Sequence, residues 1–136
     1  MHAEYQSPFT VRYGSAAMRA IWSERNKRLL WRKLWLALAE AQHARGIVSA
    51  AQLEDIRAHA SEVTDASIAR ALQIESEIHH DLMAEVRAFA EQCSVGGGAI
   101  HLGATSMDIE DNADALRLRD ALALIESQLV ELVHAL

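Results

Sequence analysis

The stretch SMDIEDNADALRLRDALALIESQLVELVHAL, residues 106–136, contains neither Gly nor Pro. Leu118, Leu122, Ile125, Leu129, Leu132 and Leu136 recur at intervals of four, three, four, three and four residues. A seven-residue apolar repeat draws one stripe along one helix face, and such a face packs lengthwise in a bundle. The pattern predicts a single long helix that starts between Thr105 and Asp108 and runs to Leu136. No Gly, Asn or Pro stop signal closes it. The helix therefore reads as cut rather than finished, and the chain as a piece of something longer.

Upstream, the breakers fall at Pro8, Gly14, Gly46, Gly96-Gly97-Gly98 and Gly103. They divide the chain into an extended start, a helical block, a Gly-rich loop and the final helix. Ser15 is placed to cap a short helix carrying Met18, Ile21 and Trp22. Glu24 to Arg45 reads as one long helix, with Leu30, Leu34 and Leu38 on a stripe and Trp31 and Trp35 beside it. Its middle is apolar nearly all round, which predicts burial on several sides. Gly46 is its stop. Ser49 caps a helix to about Ala60, and Thr64 caps another to about Ile78. Asp81 opens a further helix whose inner face is Leu82, Val86, Phe89 and Cys93. Ala and Leu are abundant and β-branched residues thin, so the fold class is all-α.

The 136 residues are one domain's worth of chain, and 51% hydrophobic with 24% charged residues is a globular mix. Thirteen basic against nineteen acidic residues leave a net charge of -6. That balance argues against bulk attraction to nucleic acid or to an anionic membrane, but leaves room for a local anion pocket. The apolar run Leu34–Ala39 is far too short to span a bilayer. Met1 to Phe9 carries Glu4 and Gln6 and no apolar signal-peptide core. With a lone cysteine, Cys93, there is no disulfide framework, and cytoplasm is the expected compartment.

Three clusters can carry chemistry. Arg12-Tyr13-Gly14-Ser15 places a guanidinium and a phenol just before a capped helix, groups that can hold a phosphate or carboxylate. The plainer reading, favoured by spacing alone, is a turn with one solvated Arg. His79-His80-Asp81 sets an imidazole beside a carboxylate, suited to carrying a proton or binding an anion. On spacing alone that reading is balanced by Asp81 as a helix cap with surface histidines. Metal binding, with His101 as a further ligand, is disfavoured: no two of these ligands stand at helical i, i+4 spacing, and Cys93 is alone. The third cluster runs from Gly96 to Asn112. Its glycines allow close approach of backbone to a ligand, and Thr105 and Ser106 put two hydroxyls at the mouth of the long helix. That suits a carboxylate, or the aci-carboxylate formed when a proton leaves the adjacent carbon. Equally, the glycines end one helix and Thr105 or Ser106 caps the next; their density tips the balance toward function.

His101-Leu102-Gly103-Ala104-Thr105-Ser106, continued by Asp108-Ile109 and Asp111-Asn112, resembles a block of the fumarase/aspartase superfamily, and more narrowly of its adenylosuccinate lyases. Ser7-Pro8 with Arg12-Tyr13 resembles their "SPL…SRY" segment. The run from Trp31 to Ala37 resembles "WRKLWxxLA", and His80-Asp81-Leu82-Met83-Ala84 resembles "RHDVMAHV". The likeness spans nearly the whole chain. Val11 stands where that family has Ser, and His79 where it has Arg.

The resemblance implies a cytoplasmic homotetrameric lyase of purine synthesis. It would release fumarate from adenylosuccinate to give AMP, and from the succinylated aminoimidazole carboxamide ribotide, without cofactor or metal. Arg12 and Tyr13 would bind the nucleotide phosphate. His80 and Asp81, with His79, would line the nucleotide site, His80 in an auxiliary role. Thr105 and Ser106 would hold the succinyl carboxylate. The general acid, a His in a Thr-His block, and the general base, a Ser in a mobile loop, would both lie beyond Leu136. None of the proton-transfer pair is then in this chain, and sites are shared among three subunits. Residues 1–105 become the N-terminal helical domain and 106–136 the first part of a central-bundle helix. The alternatives are another lyase or cycloisomerase of the superfamily, of the carboxymuconate type, and a non-catalytic helical module that oligomerises through the Leu118–Leu136 stripe.

Overall fold

A computed structural model describes residues 7–136, and no strand occurs among them. Six α-helices follow one another: α1 Ala16–Ile21, α2 Glu24–His43, α3 Ala50–His59, α4 Asp65–Ile78, α5 Asp81–Ala90 and α6 Ser106–Ala135. The all-α class expected from composition is what the chain adopts. The start differs from expectation. Phe9–Tyr13 wind into one π-helical turn rather than an extended start. Pro8 has φ −61°, already helical, and the Ser7 carbonyl accepts from both Thr10 and Val11 N–H at 3.1 Å.

Capping chemistry sets the other boundaries. Ser15 accepts from Met18 N–H, and Ser49 and Thr64 form reciprocal capping boxes with Gln52 and Ser67. Gly46, at φ +73°, takes the left-handed conformation just past the end of α2, and Ile47 N–H returns to the Gln42 carbonyl at 3.0 Å. The cap of α5 falls to His80 rather than Asp81. His80 Nδ1 lies 3.4 Å from Met83 N, while Asp81 occupies the first turn, where a carboxylate favours the helix dipole.

The core lies where α2 meets α3, α5, the Gly97–Ala99 turn and the first half of α6. Trp35, 1% exposed, is its centre, stacked on Phe89 at 6.2 Å and tilted against Trp31 at 6.5 Å. Leu53, Ile56, Leu82, Ile100, Ile109 and Ala113 complete it. A second cluster of small residues, Ala71, Ile74, Ala84 and Ala88, brings α4 close to α5.

The inward face of α2 is not the leucine stripe. Arg28, Leu30, Trp31, Arg32, Trp35 and Ala39 are buried, so of the stripe Leu30 enters the core while Leu34 and Leu38 are half-buried. Two arginines enter the core because Glu85 of α5 meets them there. Arg28 Nη1 donates to Glu85 Oε2 at 2.7 Å, and Arg32 Nε donates to Oε1 at 2.8 Å. Arg32 Nη1 also reaches the Glu62 carbonyl at 3.1 Å and Gln92 Oε1 at 2.9 Å. Its guanidinium stacks 4.4 Å over Phe89. A buried charge persists only when paired and hydrogen-bonded, and this triad ties α2 to α5.

Helix α6 is anchored through its first half only. Ile109, Ala113 and Ala121 are its buried residues, and Arg117 stacks 4.5 Å over Trp22 at the end of α1. Beyond Ala121 the helix projects. Leu118, Leu122, Ile125, Leu129, Leu132 and Leu136 are all exposed, so the heptad stripe has no partner among the described residues.

The Gly-rich loop is explained by packing. A Cβ on Gly96 would sit 2.5 Å from the Gln52 carbonyl oxygen, and one on Gly97 would sit 2.8 Å from that of Ala90. These glycines let the loop lie directly on the backbones of α3 and α5, leaving Gly98 alone in open space.

Candidate functional site

Two of the three sequence clusters meet. Helix α5 begins at Asp81 with His80 as its cap, and α6 begins at Ser106 with Thr105 as its cap. The two helix starts face each other, with His80 Nε2 3.5 Å from Ser106 Oγ. Because His80 Nδ1 accepts from Met83 N–H, the ring proton belongs on Nε2, the nitrogen turned toward Ser106. Asp81 Oδ1 lies 3.8 Å from His80 Nδ1 and accepts from Leu82 N–H at 2.8 Å. Asp108 Oδ2 accepts from Thr105 N–H at 2.9 Å, which fixes the first turn of α6.

His80 and Thr105 are exposed, and Asp81 and Ser106 half-buried, so all four remain open to a ligand. Two helix N-termini with hydroxyls and an imidazole favour an anion, since unsatisfied N–H groups and both dipoles point the same sign at it.

His101 stands behind this pair. Trp35 Nε1–H donates to His101 Nδ1 at 3.1 Å, and the rings meet edge to face at 6.0 Å. That bond needs a free lone pair on Nδ1, so His101 is neutral with its proton on Nε2. Burial pushes its pKa below the ordinary histidine value, with Asp108 opposing and His80 assisting. Its backbone sits at φ +66°. The core tryptophan thus orients the loop that carries Thr105 and Ser106.

The sequence reading missed Glu110. It lies one turn beyond Ser106 on α6 and is half-buried. Burial first, and then Asp81, push its carboxyl above the usual range, against the pull of His80 and Lys27. The available signal was the i, i+4 spacing from Ser106, which puts both on one helix face.

The remaining predicted residues lie apart. His79 ends α4 in the left-handed conformation, φ +52°, with its N–H donating to the Glu75 carbonyl at 2.8 Å. It is exposed, and its imidazole makes no hydrogen bond or ion pair with other described residues. Arg12 and Tyr13 are exposed in the π-turn, Tyr13 tilted against Phe9 at 6.4 Å. Arg19, not Arg12, braces that turn by donating to the Gly14 carbonyl. Among the described residues neither Arg12 nor Tyr13 bonds to the His80–Ser106 pair.

No family model matches the chain. Among curated proteins it is similar to the adenylosuccinate lyase of Saccharomyces cerevisiae, 43% identical over 134 residues, covering 97% of this chain and 28% of the relative. That of Pyrococcus abyssi is 42% identical over 127 residues, 92% of this chain and 28% of the relative. That of Schizosaccharomyces pombe is 34% identical over 137 residues, 99% of this chain and 28% of the relative. Along nearly their whole length these 136 residues are similar to adenylosuccinate lyases, and they span a little over a quarter of the length of the relatives they match.

Proposed function

We propose that this sequence supplies substrate-binding groups of a cytoplasmic adenylosuccinate lyase, which releases fumarate from adenylosuccinate and from the succinylated aminoimidazole carboxamide ribotide. The observation that carries the reading is the meeting of His80 and Ser106, 3.5 Å apart across two helix N-termini. They come from the two separate blocks that resemble the family. Thr105 and Ser106 hold the succinyl carboxylate, and their helix dipole favours the doubly charged aci-carboxylate that builds up as the proton leaves. His80, its ring held by the Met83 N–H and its proton on Nε2, donates to the substrate, and Asp81 lines the nucleotide site beside it. Arg12 and Tyr13 take the phosphate, and His79 lines the nucleotide.

In this reading the general acid His and general base Ser lie outside these residues. The stripe from Leu118 to Leu132 packs against other copies in a homotetramer whose sites are shared between subunits. The separation of Arg12 and Tyr13 from the His80–Ser106 pair fits such a shared site. A phosphate contact is made alike in ground and transition states. Arg12→Ala in a lyase carrying this sequence therefore raises KM for adenylosuccinate more than it lowers kcat, followed by loss of adenylosuccinate absorbance. An unchanged KM argues against the phosphate assignment. The 136 residues alone, lacking the acid–base pair, have no measurable turnover in the same assay.

A further inference from the structure

A second group of chemistry-bearing side chains meets where α3 faces the loop after α5. Asp55 and His59 stand one turn apart on α3, and Cys93 lies three residues past Ala90, the last residue of α5. One donor atom from each lies within 4.8 Å of the other two. The carboxylate is already oriented: Asp55 Oδ2 accepts from Val95 N–H at 2.7 Å and Gly96 N–H at 2.8 Å, leaving Oδ1 facing His59 Nδ1 at 3.4 Å. Cys93 is buried, with Sγ 3.9 Å from the Asp55 carbonyl oxygen. The His59 side chain, 32% exposed, gives an ion a way in from solvent.

We propose that Asp55, His59 and Cys93 form a binding site for one divalent ion of the zinc class. The donor set selects the ion. Thiolate, imidazole and carboxylate together suit a borderline-soft metal, whereas magnesium and calcium take oxygen donors. Val95 and Gly96 act as the outer shell that fixes the ligating carboxylate. Metal–ligand bonds of about 2.0–2.3 Å place donors roughly 3–4 Å apart, so the widest pair closes by about 1–2 Å. His59 Nδ1 lies 2.9 Å from the Asp55 carbonyl oxygen. Release of that contact and rotation of the part-exposed ring present a nitrogen to the ion. On binding, the Cys93 S–H bond breaks, its proton passes to solvent and a sulfur–metal bond forms; no electron changes hands. Carboxylate and thiolate then balance the two positive charges. None of the three residues belongs to the His80–Ser106 pair, so the proposal stands or falls apart from the lyase reading.

The test is titration of the reduced, metal-free 136-residue protein with Co²⁺. A thiolate-to-cobalt charge-transfer band has one possible origin here, because the sequence contains one cysteine. The band should saturate at one Co²⁺ per chain, disappear on adding Zn²⁺ and be absent in Cys93→Ser. His59→Gln, at a part-exposed position and keeping the thiol, should weaken Co²⁺ at least ~10-fold with unchanged circular dichroism. Absence of the band in the unsubstituted protein at saturating Co²⁺ would overturn the proposal. So would unchanged affinity in His59→Gln, which would mark binding by the thiol alone. If Cys93→Ser does not fold, the His59→Gln comparison decides.

Discussion

Glu85→Gln removes the one negative charge between two buried arginines while preserving side-chain volume. Glu85 is 0% exposed, Arg28 1% and Arg32 0%, so no water can replace the lost charge. The two guanidiniums are not left equally exposed to the loss. Arg32 keeps the carbonyls of His59 and Glu62 and the Gln92 side chain, whereas among the described residues Arg28 keeps only Glu24, at 3.7 Å and near the surface. Breaking a buried pair from one side costs about 3–5 kcal/mol. With a urea slope of about 2 kcal/mol per molar, the unfolding midpoint falls by roughly 2 M. The assay is urea unfolding followed by far-ultraviolet circular dichroism at fixed protein concentration, with the slope checked for constancy. Adding Arg28→Met to Glu85→Gln should recover part of the loss, because it removes the less supported charge. A double-mutant cycle then gives a coupling of about 1–3 kcal/mol. A Glu85→Gln variant within ~1 kcal/mol of the unsubstituted protein would show that the triad does not hold α2 to α5.

Gly96→Ala places a methyl group 2.5 Å from the Gln52 carbonyl oxygen and 2.7 Å from Ile56 Cγ1. It should cost about 1–3 kcal/mol in the same unfolding assay, while Gly98→Ala, facing open space, stays within about 0.5 kcal/mol. The hydrogen bonds from Gly96 and Val95 hold the Asp55 carboxyl below its ordinary value, helped by His59. Its contribution to stability is therefore complete above about pH 4 and lost as pH falls through the lowered pKa. Asp55→Asn should lower the thermal midpoint at pH 7 and differ less from the unsubstituted protein at pH 3; an equal gap at both values would refute the assignment. Leu129→Asp, on the projecting half of α6, should reduce self-association in sedimentation without changing helix content. A monomeric unsubstituted protein would refute the role given to that stripe.

Local signals placed most element boundaries. Ser15, Ser49 and Thr64 cap where a short side-chain oxygen precedes a periodic apolar run, and Gly46 stops α2 through a conformation glycine adopts freely. Such features depend on a few neighbouring residues, so the chain alone reveals them. Arg28 and Arg32 could not be placed this way. Within α2 they look like solvated charges, and they are buried only because Glu85, more than fifty positions later, arrives opposite them. Glu110 has the same cause, since its environment is made by Asp81 and His80 from another helix. His80 displaced Asp81 as the cap because its Nδ1 reaches the Met83 N–H, a geometry that residue preference does not encode. The Gly96–Gly98 run looked suited to a ligand, but Gly96 and Gly97 face protein backbone, which a local reading cannot distinguish from a cradle. The three clusters were visible as residue types; the union of His80 with Ser106 needed the packing of α5 against the start of α6.

The most direct test of the central claim, that the two helix starts at His80 and Ser106 receive the substrate, is amide chemical-shift mapping. Adenylosuccinate is titrated into the ¹⁵N-labelled 136-residue chain. Concentration-dependent shifts are expected at His80, Asp81, Thr105 and Ser106, with a separate response at Arg12 and Tyr13 that AMP alone reproduces. Ser106→Ala should abolish the first set and spare the second. Unmoved amides at His80 and Ser106 while other parts of the chain respond would contradict it.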